Sequence, residues 1–171
     1  MAHQALATSS SREAPAIHVG PPKDEINEMF DALARRAFSI FESNGRVFGR
    51  DLADWLQAER ELFHPALLDV SESDNSFEVR AEVPGFEARQ LEINLEGRRL
   101  TISGKREKHE ERKDKKSIYS ETNSDRILRV VNLPADVNAE AVRAGLKDGI
   151  LAIEIPKAVP ARKISVTPRA A

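Results

Sequence analysis

The sequence predicts a mainly β protein: an immunoglobulin-like antiparallel β-sandwich preceded by an N-terminal helical hairpin. Three observations carry this. Apolar residues recur at helical spacing between residues 24 and 64. From Leu67 onward the apolar period drops to two. The period-two segments are short and separated at regular intervals by turn signals such as Pro84-Gly85 and Asp148-Gly149, the pattern of an antiparallel sandwich.

Composition sets the bounds. A chain of 171 residues holds one ordinary domain with an added segment. Hydrophobic residues at 40% permit a packed core, and charged residues at 32% give a well-solvated surface. The net charge of -2 offers no global argument for nucleic acid or an anionic membrane. There is no cysteine, which excludes disulfides and thiol catalysis and fits a reducing compartment. The start "MAHQALATSSSREAPAIHVGPP" has no basic stretch followed by an apolar run, so no secretory signal is expected. No stretch approaches the roughly 20 apolar residues of a membrane span. The expectation is a soluble, cytoplasmic protein.

Residues 1–23 are rich in Ser, Ala and Pro without periodicity and read as a disordered tail ending at Pro21-Pro22. Next, Ile26, Met29, Phe30, Leu33, Ala37, Ile40 and Phe41 fall on one helix face, with Asp24 placed to cap the start. Gly45 and Gly49 break the pattern. A second helix is expected from Asp51 as N-cap, with Leu52, Trp55, Leu56, Leu62 and Phe63 on its apolar side, stopped by His64-Pro65. Residues 24–64 thus form a helical hairpin. It is too small to be stable alone, so its apolar stripes need each other and a partner surface.

Residues 65–157 form the sandwich. Phe77, Val79, Ala81 and Val83 alternate with charge up to Pro84-Gly85. Leu91, Ile93 and Leu95, then Leu100 and Ile102, then Leu151, Ile153 and Ile155 repeat the alternation. "RILRVVNLP" is apolar on both faces, with Arg129 inside it. "KREKHEERKDKK", residues 105–116, is charged or His throughout and is expected to be a solvated loop. Ile118 and Tyr119 follow as an isolated apolar pair, poorly placed to pair within their own sheet. Residues 158–171 are a flexible extension in which Ile164 and Val166, one residue apart, would point to the same side of a strand.

Little here suggests chemistry. The four histidines are scattered. "HEER" at 109–112 lacks the second histidine of a zinc helix, since Lys113 stands there. "GRRLTISGKR" spaces its glycines too widely for a phosphate loop, and Arg106 replaces the required Ser or Thr. No catalytic residue, metal or cofactor is assigned. In residues 24–64 nine acids outnumber five arginines, which opposes DNA binding by the hairpin.

Five segments in order resemble the small heat-shock protein (α-crystallin domain) family: "VPGF" at 83–86, "LTISGKRE", "LRVVNLPADV", "AGLKDGILAIEIPK" at 144–157, and the "ISV" tail. The resemblance runs from Pro65 to Val166. Ile127 and Val131 stand where the family often has aromatics, and Glu121-Thr122 where it often has Glu-Arg. Separately, "ARRAFSIFESNGRVFGRDLADWLQAERELF" resembles a short bacterial helical domain of unknown function.

The resemblance implies an ATP-independent chaperone that holds non-native proteins and suppresses their aggregation under heat or other stress. It implies no enzyme activity, no cofactor, and neither nucleic acid nor membrane as partner. The implied dimer exchanges a loop strand, with Leu68, Val70, Ile118, Tyr119, Glu121 and Arg129 at the interface. Ile164 and Val166 would then plug a groove on another dimer, for which Leu91, Ile93, Leu95, Val142 and Ala144 are candidates, though core packing explains these residues equally well. Phe30, Leu33, Phe38, Phe41, Trp55 and Phe63 are candidates for client binding, or simply pack the hairpin. The alternative function is a scaffold or co-chaperone-type module whose hairpin binds one specific partner.

Overall fold

The computed structural model describes residues 14–108 and 123–159. Among these, eight strands form two four-stranded sheets. In the first, β1 (Ala16–Val19), β4 (Leu91–Glu96), β5 (Arg99–Lys108) and β6 (Asn123–Asn132) lie in that order. In the second the order is β2 (Leu68–Glu72), β3 (Ser76–Glu82), β8 (Ile150–Pro156), β7 (Arg143–Lys147). Every strand pairing is antiparallel except that of β1 with β4.

The period-two pattern is realised as an inner face. Phe77, Val79, Ala81, Val83, Leu91, Ile93, Leu95, Leu100, Ile102, Leu151, Ile153 and Ile155 all join one buried cluster between the sheets. Side chains that alternate along a strand point to opposite faces, so each strand delivers its apolar set to this core. The Asp148-Gly149 signal is a two-residue loop joining β7 to β8. Both residues have positive φ, 51° and 74°, as a hairpin turn of matching twist requires.

Two helices precede the sandwich, α1 (Asp24–Ser43) and α2 (Asp51–Leu62). Lys23 and Arg50, not Asp24 and Asp51, occupy the N-cap positions. The two aspartates lie in the first turns, where a carboxylate faces the positive end of the helix dipole. α1 buries Ile26, Met29, Leu33 and Ile40 as its periodicity predicts.

α2 corrects the expectation. Its buried residues are Asp54 and Ala58, followed by Phe63, whereas Leu52, Trp55 and Leu56 face solvent. The stripe is split: Leu62 and Phe63 pack into the hairpin core as expected, while Leu52, Trp55 and Leu56 are turned outward. Ala58, with no side chain beyond Cβ, suits close packing between the helices, and Asp54 accepts a 3.1 Å hydrogen bond from Asn44 Nδ2 that ties the inter-helix turn.

The hairpin finds its partner surface on β6. Ile127 points into the sandwich, while Leu128 joins Ile26, Met29, Leu33, Ile40, Ala58 and Phe63 in a second core. This explains why that strand is apolar on both faces. The guanidinium of Arg99 lies 5.2 Å from the ring centre of Phe30, and the His64 amide donates to the Arg126 carbonyl at 2.7 Å, fixing the hairpin's exit along β6.

Two further expectations change. Residues 16–19, read from composition as part of a featureless tail, form β1, because β4 offers an edge ladder that a short extended segment can complete. The charged run also begins later than expected: residues 105–108 belong to β5. Arg106 is largely buried yet not isolated. It stands opposite Asp125 and pairs with it, donates to the Gly85 carbonyl at 2.6 Å, and lies 5.0 Å from the Phe86 ring centre. A paired charge can be withdrawn from water where a lone one cannot. Residues 109–116 lie outside the described residues.

Candidate functional site

Among the described residues no group of three or more His, Cys, Asp or Glu is placed to hold a metal. No helix among the described residues is long and apolar enough to cross a membrane. What the fold does present is sheet edges and exposed apolar side chains on the hairpin.

The β4 edge is the most developed of these. Leu91, Ile93 and Leu95 are buried inward in the sandwich core, and Val142 and Ala144, on and beside β7, are half-buried against the same core. Of the five residues expected to line a groove, three are therefore core residues in the single chain. Strand β1 lies along the edge in parallel register, with Ile17 beside Ile93 and Val19 beside Leu95. Ile17 packs onto the sandwich core. Beyond the ladder, the Gly20 amide donates to the Leu95 carbonyl at 3.0 Å, and buried Asn94 donates from Nδ2 to the Gly20 carbonyl at 3.2 Å. Lys23 completes the fastening through a 2.9 Å ion pair with Glu92, and hydrogen bonding to that carboxylate raises its pKa above the ordinary 10.5.

Sequence reasoning passed over Ile17 and Val19. A signal was present: Ile17-His18-Val19 has the spacing of Ile164-Ser165-Val166, in a segment equally flanked by proline. Ile164 and Val166 themselves lie outside the described residues.

The second edge is β2. Leu68 pairs with Ala81 and packs against the core, and Val70 pairs with Val79 with its side chain exposed. Among the described residues only β3 pairs with β2. Ile118, Tyr119 and Glu121 lie outside the described residues. Arg129 stands in register with Ile102, on the core-facing row of β6, and its Nη1 lies 3.7 Å from Glu59 Oε1 of α2.

The hairpin divides the aromatic candidates. Leu33 and Phe63 are buried in the second core, and Phe30 is half-buried against it. Trp55 lies at the rim of a hollow lined by Phe30, Leu33, Glu59, Phe63, Leu128, Arg129 and Val130. Phe38, 58% exposed, and Phe41 form a ring contact at 6.2 Å, and Phe41 meets Phe48 edge-on at 5.9 Å. Phe48 is 87% exposed and Leu52 72%. Phe38, Phe41 and Phe48 thus form a chain of ring contacts at the surface, and Phe48 and Leu52 are exposed apolar side chains that were not singled out from sequence. An exposed apolar cluster marks an interaction site more often than scattered side chains do.

The hairpin is also held by charge. Arg36 Nε donates to Glu61 Oε2 at 2.5 Å, and Gln57 to Glu61 Oε1 at 2.9 Å. The Arg36 hydrogen bond, then that of Gln57, lower the pKa of Glu61 below the ordinary carboxylate value.

Residues 69–168 match the Hsp20/alpha crystallin family. Residues 31–63, within the hairpin, match a family described as protein of unknown function, DUF2934. Over 89 residues the chain is 36% identical to Small heat shock protein C2 of Rickettsia felis, covering 52% of this chain and 58% of that protein. Over 133 residues it is 34% identical to 16.9 kDa class I heat shock protein 1 of Oryza sativa subsp. japonica, covering 77% of this chain and 87% of that protein. Among solved structures, Heat shock protein 16.0 from Schizosaccharomyces pombe is similar at a TM-score of 0.48 and 24% identity, covering 63% of this chain and 99% of that one.

Proposed function

The chain belongs to the Hsp20/alpha crystallin family, and we propose that it works as a holdase, binding non-native proteins in the cytoplasm and suppressing their aggregation without ATP. The observation that supports this reading is the set of apolar side chains the hairpin leaves exposed: the Phe38–Phe41–Phe48 ring cluster, and Leu52 and Trp55 besides. An unfolding client presents apolar segments of its own, and joining the two surfaces removes both from water at about 25 cal/mol per Å². Such binding needs no nucleotide, cofactor, nucleic acid or membrane.

Assembly follows from the edges. Unpaired backbone on an edge strand is a template for another chain. The proposed dimer pairs β2, through Leu68 and Val70, with the partner's segment carrying Ile118, Tyr119 and Glu121, and Arg129 lies at the same interface. Larger assemblies form when Ile164 and Val166 of one dimer seat on the β4 edge of another. Each anchor contributes at most about 1.5–3 kcal/mol before ordering costs, so single tails bind weakly and many tails together hold firmly yet exchange.

A second reading makes the hairpin the working element, a module that recognises one specific partner. It is favoured by the order of that element, whose turn is tied through Asn44 and Asp54. One experiment separates the two: heating an unrelated, aggregation-prone protein with the full chain in nucleotide-free buffer. A holdase keeps light scattering low near equimolar subunits. Unchanged scattering across the temperature range supports the specific-partner reading.

A further inference from the structure

We propose that the β4 edge is a two-ligand site: residues 16–19 are its resident ligand within the chain, and the tail of another subunit, residues 164–166, must displace them to bind. The proposal rests on the reading that the tail uses the β4 edge, and adds what already occupies it.

Three observations carry it. First, β4 has one free edge, since β5 takes the other, and β1 fills it from Glu92 to Leu95. A ladder position holds one strand at a time, so a second extended segment and β1 exclude each other. Second, the resident and the competitor carry the same pair. Ile17 and Val19 are one residue apart, as are Ile164 and Val166, and in the resident the pair stands beside Ile93 and Leu95. Third, the resident is seated by one anchor. Ile17 packs on the core, but Val19 remains 52% exposed. A strand of four residues with one seated side chain can be displaced, and a competitor that seats both anchors wins.

Displacement reaches further than the edge. Only residues 20–23 separate β1 from α1. The Gly20 amide, the Asn94 side chain and the Lys23–Glu92 pair fasten this link to β4. Lifting β1 takes the first two of these bonds with it, so tail capture loosens the entry to the hairpin that bears the exposed aromatic residues.

The test uses the full chain with Ile164→Gly and Val166→Gly, so that its own tails do not compete, and a fluorescent peptide of residues 158–171 as probe. Adding Ile17→Gly and Val19→Gly tightens peptide binding about tenfold or more. Equal affinity with and without these two substitutions overturns the proposal and leaves the tail reading intact. Absence of binding in both forms overturns the tail reading and the proposal with it. Hydrogen exchange with the native N-terminus gives a second measurement that does not depend on the glycine variants folding. At saturating peptide the Gly20 amide exchanges faster while β4 stays protected. A Gly20 amide that keeps its protection while the peptide binds overturns the proposal.

Discussion

Arg129 of β6 meets Glu59 of α2, Nη1 to Oε1 at 3.7 Å, so an arginine on the core-facing row of a strand is answered by the hairpin of its own chain. Both side chains keep a third or so of their surface in water, 39% and 31%, and a pair that wet is worth about 0–1 kcal/mol. A double-mutant cycle on Glu59→Ala and Arg129→Ala, read by denaturant unfolding, is expected to give a coupling in that range. If Arg129 also serves the dimer, Arg129→Ala weakens dimerisation and Glu59→Ala does not. Equal effects of both on dimerisation would confine Arg129 to the intrachain contact.

Leu128 is the residue of β6 that joins the second core. Leu128→Ala removes buried methyl groups and leaves space behind, which costs about 2–5 kcal/mol in a site that cannot collapse. The cost is expected to fall on the hairpin, with the sandwich core intact. Trp55 is the chain's single tryptophan and shares the hollow with Leu128, so its emission shifts to longer wavelength as the hairpin loosens. Unchanged emission and unchanged protease resistance of residues 24–64 would show that the hairpin does not depend on this contact.

Gly85 has φ of 80°, and a Cβ there would run into the guanidinium of Arg106. Gly85→Ala therefore combines left-handed strain of about 1–2 kcal/mol with displacement of the guanidinium from the Gly85 carbonyl and Asp125. Thermal unfolding measures the sum. A midpoint within a degree of the parent would refute the crowding argument.

Acid is expected to loosen the hairpin. The folded pKa of Glu61 is lowered by Arg36 and Gln57, so its contribution is present above the ordinary value of 4.5 and fades as pH falls through the lower folded value. Glu61 and Arg36 are both partly exposed, so the effect is small and salt-sensitive. Trp55 emission followed from pH 7 into the acid range, in parent and Glu61→Gln, is the measurement. The variant is expected to lose the part of the transition that belongs to this carboxylate, and identical curves would contradict the assignment.

The sandwich was legible because its information is local. Alternation along each strand places Phe77, Val79 or Ile153 on one face whatever else the chain does, and Asp148-Gly149 dictates its own turn. α2 was misread because its outcome depends on contact. Periodicity finds the stripe of Leu52, Trp55 and Leu56 but cannot say that small Ala58 would win the position against α1. β1 was missed for a related reason. Its one signal, Ile17 and Val19 one residue apart, is too short to mark a strand in a Ser- and Pro-rich stretch, and what orders it is an edge supplied by residues 91–96. Arg106 looked like one more solvated charge until Asp125 stood opposite it.

The most direct test of edge-directed assembly is the mass of the intact chain by size-exclusion chromatography with light scattering, beside the Ile164→Gly and Val166→Gly double variant. The parent is expected to elute as an assembly far larger than a dimer and the variant as a dimer. An unchanged mass on losing both side chains would contradict the account.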